Sequence, residues 1–156
     1  MRRALTYIVV AALCTPLMAA ERRSWSKLRY VGGTIPAKAS RYDWNTELTA
    51  NPDSIVVVIA PAVVFTPQQT VRIKPSQVTS LSVDEAAWRR VGEVKGAQLP
   101  AKTPALFGLL KDRGFIGIVY RTDDGKPAAM LLESLFTRRI LAVLKELTGK
   151  TVETSP

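Results

Sequence analysis

Phe115-Ile116-Gly117-Ile118-Val119-Tyr120 is an apolar, β-branched and aromatic run of strand length, and Ala128-Ala129-Met130-Leu131-Leu132-Glu133 repeats that character a short way downstream. Between them lies Thr122-Asp123-Asp124-Gly125-Lys126-Pro127, whose Asp-Gly pair suits the positive φ of a tight turn between paired strands. The two runs read as a hairpin. Ser134 follows as a helix cap, its side-chain oxygen placed to accept from an otherwise unpaired backbone N–H. Phe136, Ile140, Val143, Leu144 and Leu147 then recur at the spacing of one helical face. Arg138, Arg139, Lys145 and Glu146 take the other side, and Gly149 stops the helix. A hairpin feeding a one-sided helix needs an apolar surface to cover, and the upstream strands must supply it.

Length and composition bound the rest. The chain has 156 residues, enough for one domain with a real core and too few for two of ordinary size. Arg2 and Arg3, an apolar run from Ala4 to Leu17, and the small residues of Met18-Ala19-Ala20 follow the order of a secretory signal. Residues 1–20 are therefore expected to be a signal peptide, with an uncleaved signal anchor as the alternative. The run is short for a bilayer span and contains Pro16. Residues 21–27 read as a flexible leader, 28–149 as the single domain, and 150–156 as a polar tail. Cleavage removes Arg2 and Arg3, leaving 20 basic residues against 13 acidic, a net charge of +7. It also removes Cys14, the only cysteine, so an exported location, periplasmic or secreted, comes with no disulfide inside the mature chain. The chain has no histidine, so the commonest metal ligand and the commonest general base are both missing.

In order, Leu28-Arg29-Tyr30-Val31 opens a strand that ends at Gly32-Gly33, and residues 37–42 and 44–49 are weaker candidates. Ile55-Val56-Val57-Val58-Ile59 is continuously apolar, which predicts a strand buried on both faces. Ala62 to Phe65, bracketed by Pro61 and Pro67, is an edge strand or loop. Thr70 to Lys74 alternates and Pro75 ends it; Val78 to Val83 resumes slightly out of phase, which predicts a bulge. Asp84 to Val91 reads as a short helical or irregular crossing, Gly92 to Thr103 as an exposed loop, and Pro104 to Leu110 as an apolar helical turn. The sum is mainly β with a C-terminal α-helix: a curved antiparallel sheet or partly open barrel capped by that helix.

"TVRIKPSQVTSLSV", an Arg-Arg-Val-Gly segment, "GFIGIVYRTDDGKPAAMLLE" and "ILAVLKELTGKTVE", in that order, resemble small bacterial proteins with a pleckstrin-homology-like or GRAM-like domain, over about Lys27 to Glu153. The resemblance implies a binding module without an active site. It carries no phosphoinositide-binding residues, because no basic cluster in the first hairpin matches that motif.

The chemistry-bearing clusters are few. Asp123-Asp124-Gly125 has the acidic start of a calcium loop but lacks the later ligands, with Lys126 and Pro127 in their place; a hairpin turn fits better. Trp88-Arg89-Arg90 sets an aromatic beside two cations, for an anionic surface or partner, or else Trp88 packs under a loop while the arginines are solvated. Leu106-Phe107-Gly108-Leu109-Leu110, flanked by Lys102, Lys111 and Arg113, suits an interfacial contact or the end of the sheet. No compact arrangement of aromatic and basic residues points to nucleic acid. No nucleophile elbow, phosphate loop or zinc-ligand spacing occurs.

The reading is an exported, non-enzymatic binding or scaffolding domain, with no cofactor and no metal. Its partner is a protein or an anionic envelope surface met through Trp88, Arg89, Arg90, Lys102, Phe107, Lys111 and Arg113. The alternatives are a carboxylate-based hydrolase of cell-wall material, for which Asp84 with Glu85 or Asp43 with Glu47 would have to converge with others, and a membrane-tethered domain with its signal retained.

Overall fold

A computed structural model describes residues 23–39, 42–61, 65–96 and 113–155. Strands β1 (Arg23–Gly33), β2 (Thr46–Ala50), β3 (Ile55–Ile59), β4 (Gln69–Ile73) and β5 (Val78–Val83) come first. Helix α1 (Asp84–Lys95), strands β6 (Gly114–Arg121) and β7 (Pro127–Ser134), helix α2 (Thr137–Thr148) and a two-residue strand β8 (Val152–Glu153) complete the chain. The strands form one open sheet in the order β4-β3-β2-β1-β7-β6-β5-β8. Neighbours are antiparallel except β5 and β8, which run parallel.

Strand β1 belongs to both arms of this sheet. Arg23 to Leu28 pair with β2, while Arg29 to Gly33 pair with β7. The register shifts between Trp25 and Leu28, and Lys27 in that gap has φ +58°, the backbone signature of a bulge that re-aims a strand. Side chains from both arms then share one interior: Leu48, Ile55, Val57 and Ile73 from one, Leu81, Ile116, Ile118 and Met130 from the other. Ile140, Val143 and Leu144 of α2 enter the same cluster. The predicted helical stripe therefore does cover the sheet, with Leu141 added and Phe136 left half exposed.

A second layer lies on the opposite face. Ala87 and Val91 of α1 pack on Val31, Val119, Ala129 and Leu131, with Trp88, Val94 and Phe115 at the margin. This explains the unbroken apolar runs of β6 and β7: helices cover them on both sides, so successive residues have no wet face to point to. Gly117 makes the approach possible, since a Cβ there would sit 2.5 Å from Ser82 Oγ and 2.9 Å from Ala87 Cα.

Several expectations change. The strand starts at Arg23, inside the stretch read as a leader. The crossing after β5 is a full helix that continues through Gly92 to Lys95, residues read as loop. In β3 Ile55, Val57 and Ile59 are buried while Val56 and Val58 are only partly so; among the described residues no helix covers that other face, so burial alternates. Ser134 Oγ accepts from Phe136 N–H at 2.9 Å, ahead of the helix, and α2 begins with no side-chain cap. The bulge expected in β5 is present between Val78 and Ser80, and Gly149 closes α2 with φ +67°. The stretch 44–49 holds all of β2 but its last residue, Ala50, whereas 37–42 forms no strand over its described residues. The segment 104–110 lies outside the described residues.

Gly117→Val should push α1 off β6 and lower the unfolding free energy by about 2–3 kcal/mol, the usual cost of overpacking a filled interior. Denaturant unfolding checks this; an unchanged midpoint would mean that α1 is not seated on Gly117.

Candidate functional site

The strongest charge feature is built by strand register. Arg29 of β1 stands opposite Glu133 of β7, and Glu133 stands opposite Phe115 of β6, two residues beyond Arg113. Arg29 Nε donates to Glu133 Oε2 at 2.6 Å, and Arg113 Nε donates to Oε1 at 2.7 Å. One carboxylate, 2% exposed, is thus gripped by two guanidiniums. Arg113 also lies over the Trp44 ring, 5.3 Å from its centroid, a cation–π contact that tethers the loop before β2.

Arg113 opens onto a cleft of about 460 Å³ between the start of α1, the start of β6, α2 and the C-terminal strand. Thr137, Arg138, Leu141, Ala142 and Lys145 supply the α2 wall, a spacing that keeps them on one stripe of the helix. Val83, Gly114 and Val152 extend the apolar floor, and Thr154 lies opposite α2. Among the described residues Arg113, Arg138 and Lys145 line it as cations and Asp84 as an acid. Lys145 makes no ion pair among the described residues.

Asp84 itself is constrained. It begins α1 with φ +51°, a region costly for a side chain with a Cβ. Its Oδ1 accepts the Phe115 N–H at 3.1 Å, which fixes the start of β6 and with it Arg113. Helix α2 breaks a different preference. Its first turn holds Arg138 and Arg139, no acid, and no side-chain cap, although that end of a helix is already electropositive.

The residues picked from sequence fall in three places. Trp88 packs edge-on against Phe115, centroids 5.4 Å apart at 72°, and its buried Nε1 has no hydrogen-bond partner among the described residues. Arg89 and Arg90 both bond to Glu153 of β8, at 2.5 and 2.7 Å. The three consecutive residues thus serve packing and a clasp on the C-terminal strand. Of the picked residues that are described, Arg113 alone lines the cleft. Lys102, Phe107 and Lys111 lie outside the described residues. Asp123-Asp124-Gly125 is the turn of the β6–β7 hairpin, with Asp123 bonded to Gln77 and Asp124 paired to Lys126 at 2.8 Å. Sequence reading missed Arg29 and Glu133, weighed Asp84 only beside Glu85 as a carboxylate pair, and set Arg138 and Lys145 on the outer side of the helix. A signal did exist: Glu133 closes an apolar strand, and two arginines open a helix whose first turn offers no acid.

Two outcomes test this geometry. Glu133→Gln leaves two guanidiniums facing each other without their anion, so stability should fall by about 3–5 kcal/mol; a change below about 1 kcal/mol would show the triad to be loosely hydrated. The Glu153 carboxyl is held below its ordinary value, first by the Arg90 hydrogen bond and then by the charges of Arg90 and Arg89. A depressed carboxyl stabilises above its unfolded value, about 4, and loses that contribution as pH falls through its folded value. Amide exchange at Val152 and Glu153, corrected for intrinsic rate, should therefore accelerate on acidification below about pH 4 while the β6–β7 amides hold. The chain matches no family model and no curated protein, so the reading of this site rests on its own geometry.

Proposed function

We propose that this protein is an exported, non-enzymatic binding domain whose partner is anionic, an acidic protein or an anionic envelope surface, held at the basic rim of the α2 cleft. The observation that carries the reading is the basic face of α2: its first turn holds Arg138 and Arg139 and no acid, where the helix dipole is already positive, and Lys145 further along makes no ion pair among the described residues. An approaching anion meets these side chains and the positive helix end together. The use of the carboxylates supports the same view. Glu133 is taken by Arg29 and Arg113, Glu153 by Arg89 and Arg90, Asp124 by Lys126 and Glu146 by Arg23. Among the described residues Asp84 is the one acid on the cleft, which does not favour a two-carboxylate hydrolase.

The pleckstrin-homology-like likeness belongs to this proposal too. A bent, largely antiparallel sheet with an amphipathic helix against its inner face at the C-terminal end supports it; the step before the closing hairpin is helix α1 rather than a short turn. Export rests on residues 1–20. Among the described residues no helix is long and apolar enough to cross a membrane.

Residues 21–156 should bind phosphatidylglycerol vesicles or polyglutamate at low salt and release them as salt rises. Arg138→Glu with Arg139→Glu should weaken that binding about tenfold or more while leaving stability equal or raised by about 0.5 kcal/mol, since acids suit a helix start. Absence of binding to both probes at low ionic strength would overturn the proposal.

A further inference from the structure

Strand β8 is held by little. It is two residues long, each partly buried, and pairs with β5 only at Leu81 and Ser82. Val152 packs against the core from its margin. Glu153 is held by Arg89 and Arg90 at 2.5 and 2.7 Å, through guanidiniums that remain about half exposed. Exposed ion pairs contribute little, and an edge segment with few buried contacts opens well below the free energy of global unfolding. We infer that β8 fills, within its own chain, a strand-addition site on the edge of β5, and that an extended protein segment carrying an apolar residue followed by an acid takes its place.

What β8 covers decides what replaces it. Strand β5 pairs with β6 along its length, from Val78 to Val83, so among the described residues its other edge meets β8 alone. Departure of β8 uncovers the backbone donors and acceptors of that edge. It also bares the apolar surface that Val152 occupies beside Val83 and Leu141, and takes from Arg89 and Arg90 the carboxylate they share. Neither arginine is a free cation in the closed chain; each joins the site only as Glu153 leaves. The register fixes the order in which a ligand is read. Val152 stands opposite Leu81 and Glu153 opposite Ser82, parallel to β5, and successive strand residues point to opposite sides. An apolar side chain therefore goes toward α2 and the next residue's carboxylate toward α1. Main-chain pairing supplies affinity and the two side chains supply selection; an amphiphile or a bare anion would leave the strand edge unpaired. Strand β8 pairs at two of the six β5 positions, so a longer segment gains ladder bonds that β8 does not make. Helix α2 is closed by its own Gly149 cap, so β8 leaves without unwinding it.

The test uses residues 21–156 and an acetylated, amidated peptide Ser-Thr-Val-Glu-Thr-Ser. In the parent chain the amides of Val152 and Glu153 should exchange by local opening, faster than those of β6 and β7 after correction for intrinsic rate. Glu153→Arg sets a third cation beside Arg89 and Arg90 and should eject β8; heteronuclear NMR should then move Val152 toward unstructured shifts while the β6–β7 amides stay in place. The peptide should bind this variant saturably, with a dissociation constant on the order of 500 μM, and shift the amides of Leu81 and Ser82 and the Nε groups of Arg89 and Arg90. The parent should bind it at least about tenfold more weakly, because the tethered β8 competes. Glutamine in place of the peptide's glutamate should cost about tenfold or more in the variant. Val152→Ser opens β8 more mildly and should give the same ranking if Glu153→Arg fails to fold. The inference is overturned if the β8 amides exchange only with global unfolding, if neither variant binds the peptide, or if the glutamine peptide binds equally. A concentration-dependent dimer of the parent, with shifts confined to Leu81, Ser82, Val152 and Glu153, would assign the edge to a second copy and overturns it too. None of these outcomes uses the cations of α2, so binding of vesicles or polyglutamate stands or falls separately.

Discussion

Strand β1 has to serve two partners in sequence, and the bend that this requires sets the rest of the molecule. Its first residues are paired to β2 and its last to β7, so the chain must turn at Lys27 for both ladders to exist. Once it turns, the inner faces of both arms look onto a shared interior, and α2 is the element that fills it. Burial of Leu28, Leu48, Ile55, Leu81, Ile116, Met130, Ile140 and Leu144 follows from that closure. At roughly 2 kcal/mol for each such side chain removed from water, no surface ion pair competes with it.

The same bend explains where charge goes. Arg29 sits at the point where β1 changes partner, so its side chain meets the end of β7 and finds Glu133 there. A buried ion pair is weak evidence for stability, because the cost of drying two charges offsets much of their attraction. The geometry suggests positioning instead. Glu133 holds Arg113, Arg113 lies on Trp44, and Asp84 bonds the neighbouring backbone, so the entry to β6 is fixed from three sides at the mouth of the cleft.

Much of the fold could be read from sequence where one rule governed a segment. The β6–β7 hairpin, the α2 stripe and the β5 bulge were legible because Asp-Gly turn chemistry, helical spacing and a phase slip each have a local cause. What stayed hidden needed two elements at once. Helix α1 is short of apolar residues, with only Ala86, Ala87 and Val91 buried, and it is held by a close approach to Gly117 that no window of its own sequence shows. Arg23 to Lys27 read as a leader because their strand identity comes from β2, a partner more than fifteen residues away. The site divided in the same way. Arg113 was found through its charge, whereas Arg29 and Glu133 looked like ordinary strand residues until register set them opposite each other.

The C-terminal clasp shows why the picked tripeptide and the cleft differ in role. Arg89 and Arg90 look like a free basic pair in sequence, yet both are committed to Glu153, and through it to the placement of Val152 and Thr154 on the cleft wall. Cations with a structural carboxylate beside them add little net charge to a surface. Arg138, Arg139 and Lys145 lie along a helix whose sole nearby acid in the last turns, Glu146, is turned to Arg23. A fold selected for stability alone would place an acid at the first turn of α2 and leave the cations for its end. The sequence instead puts Arg138 and Arg139 in that first turn, at the rim of a concave, apolar-floored surface. A local preference broken at the rim of a cleft is where a requirement other than folding is expected to act, and under the proposed reading the functional weight falls on the start of α2 rather than on the more conspicuous Trp-Arg-Arg.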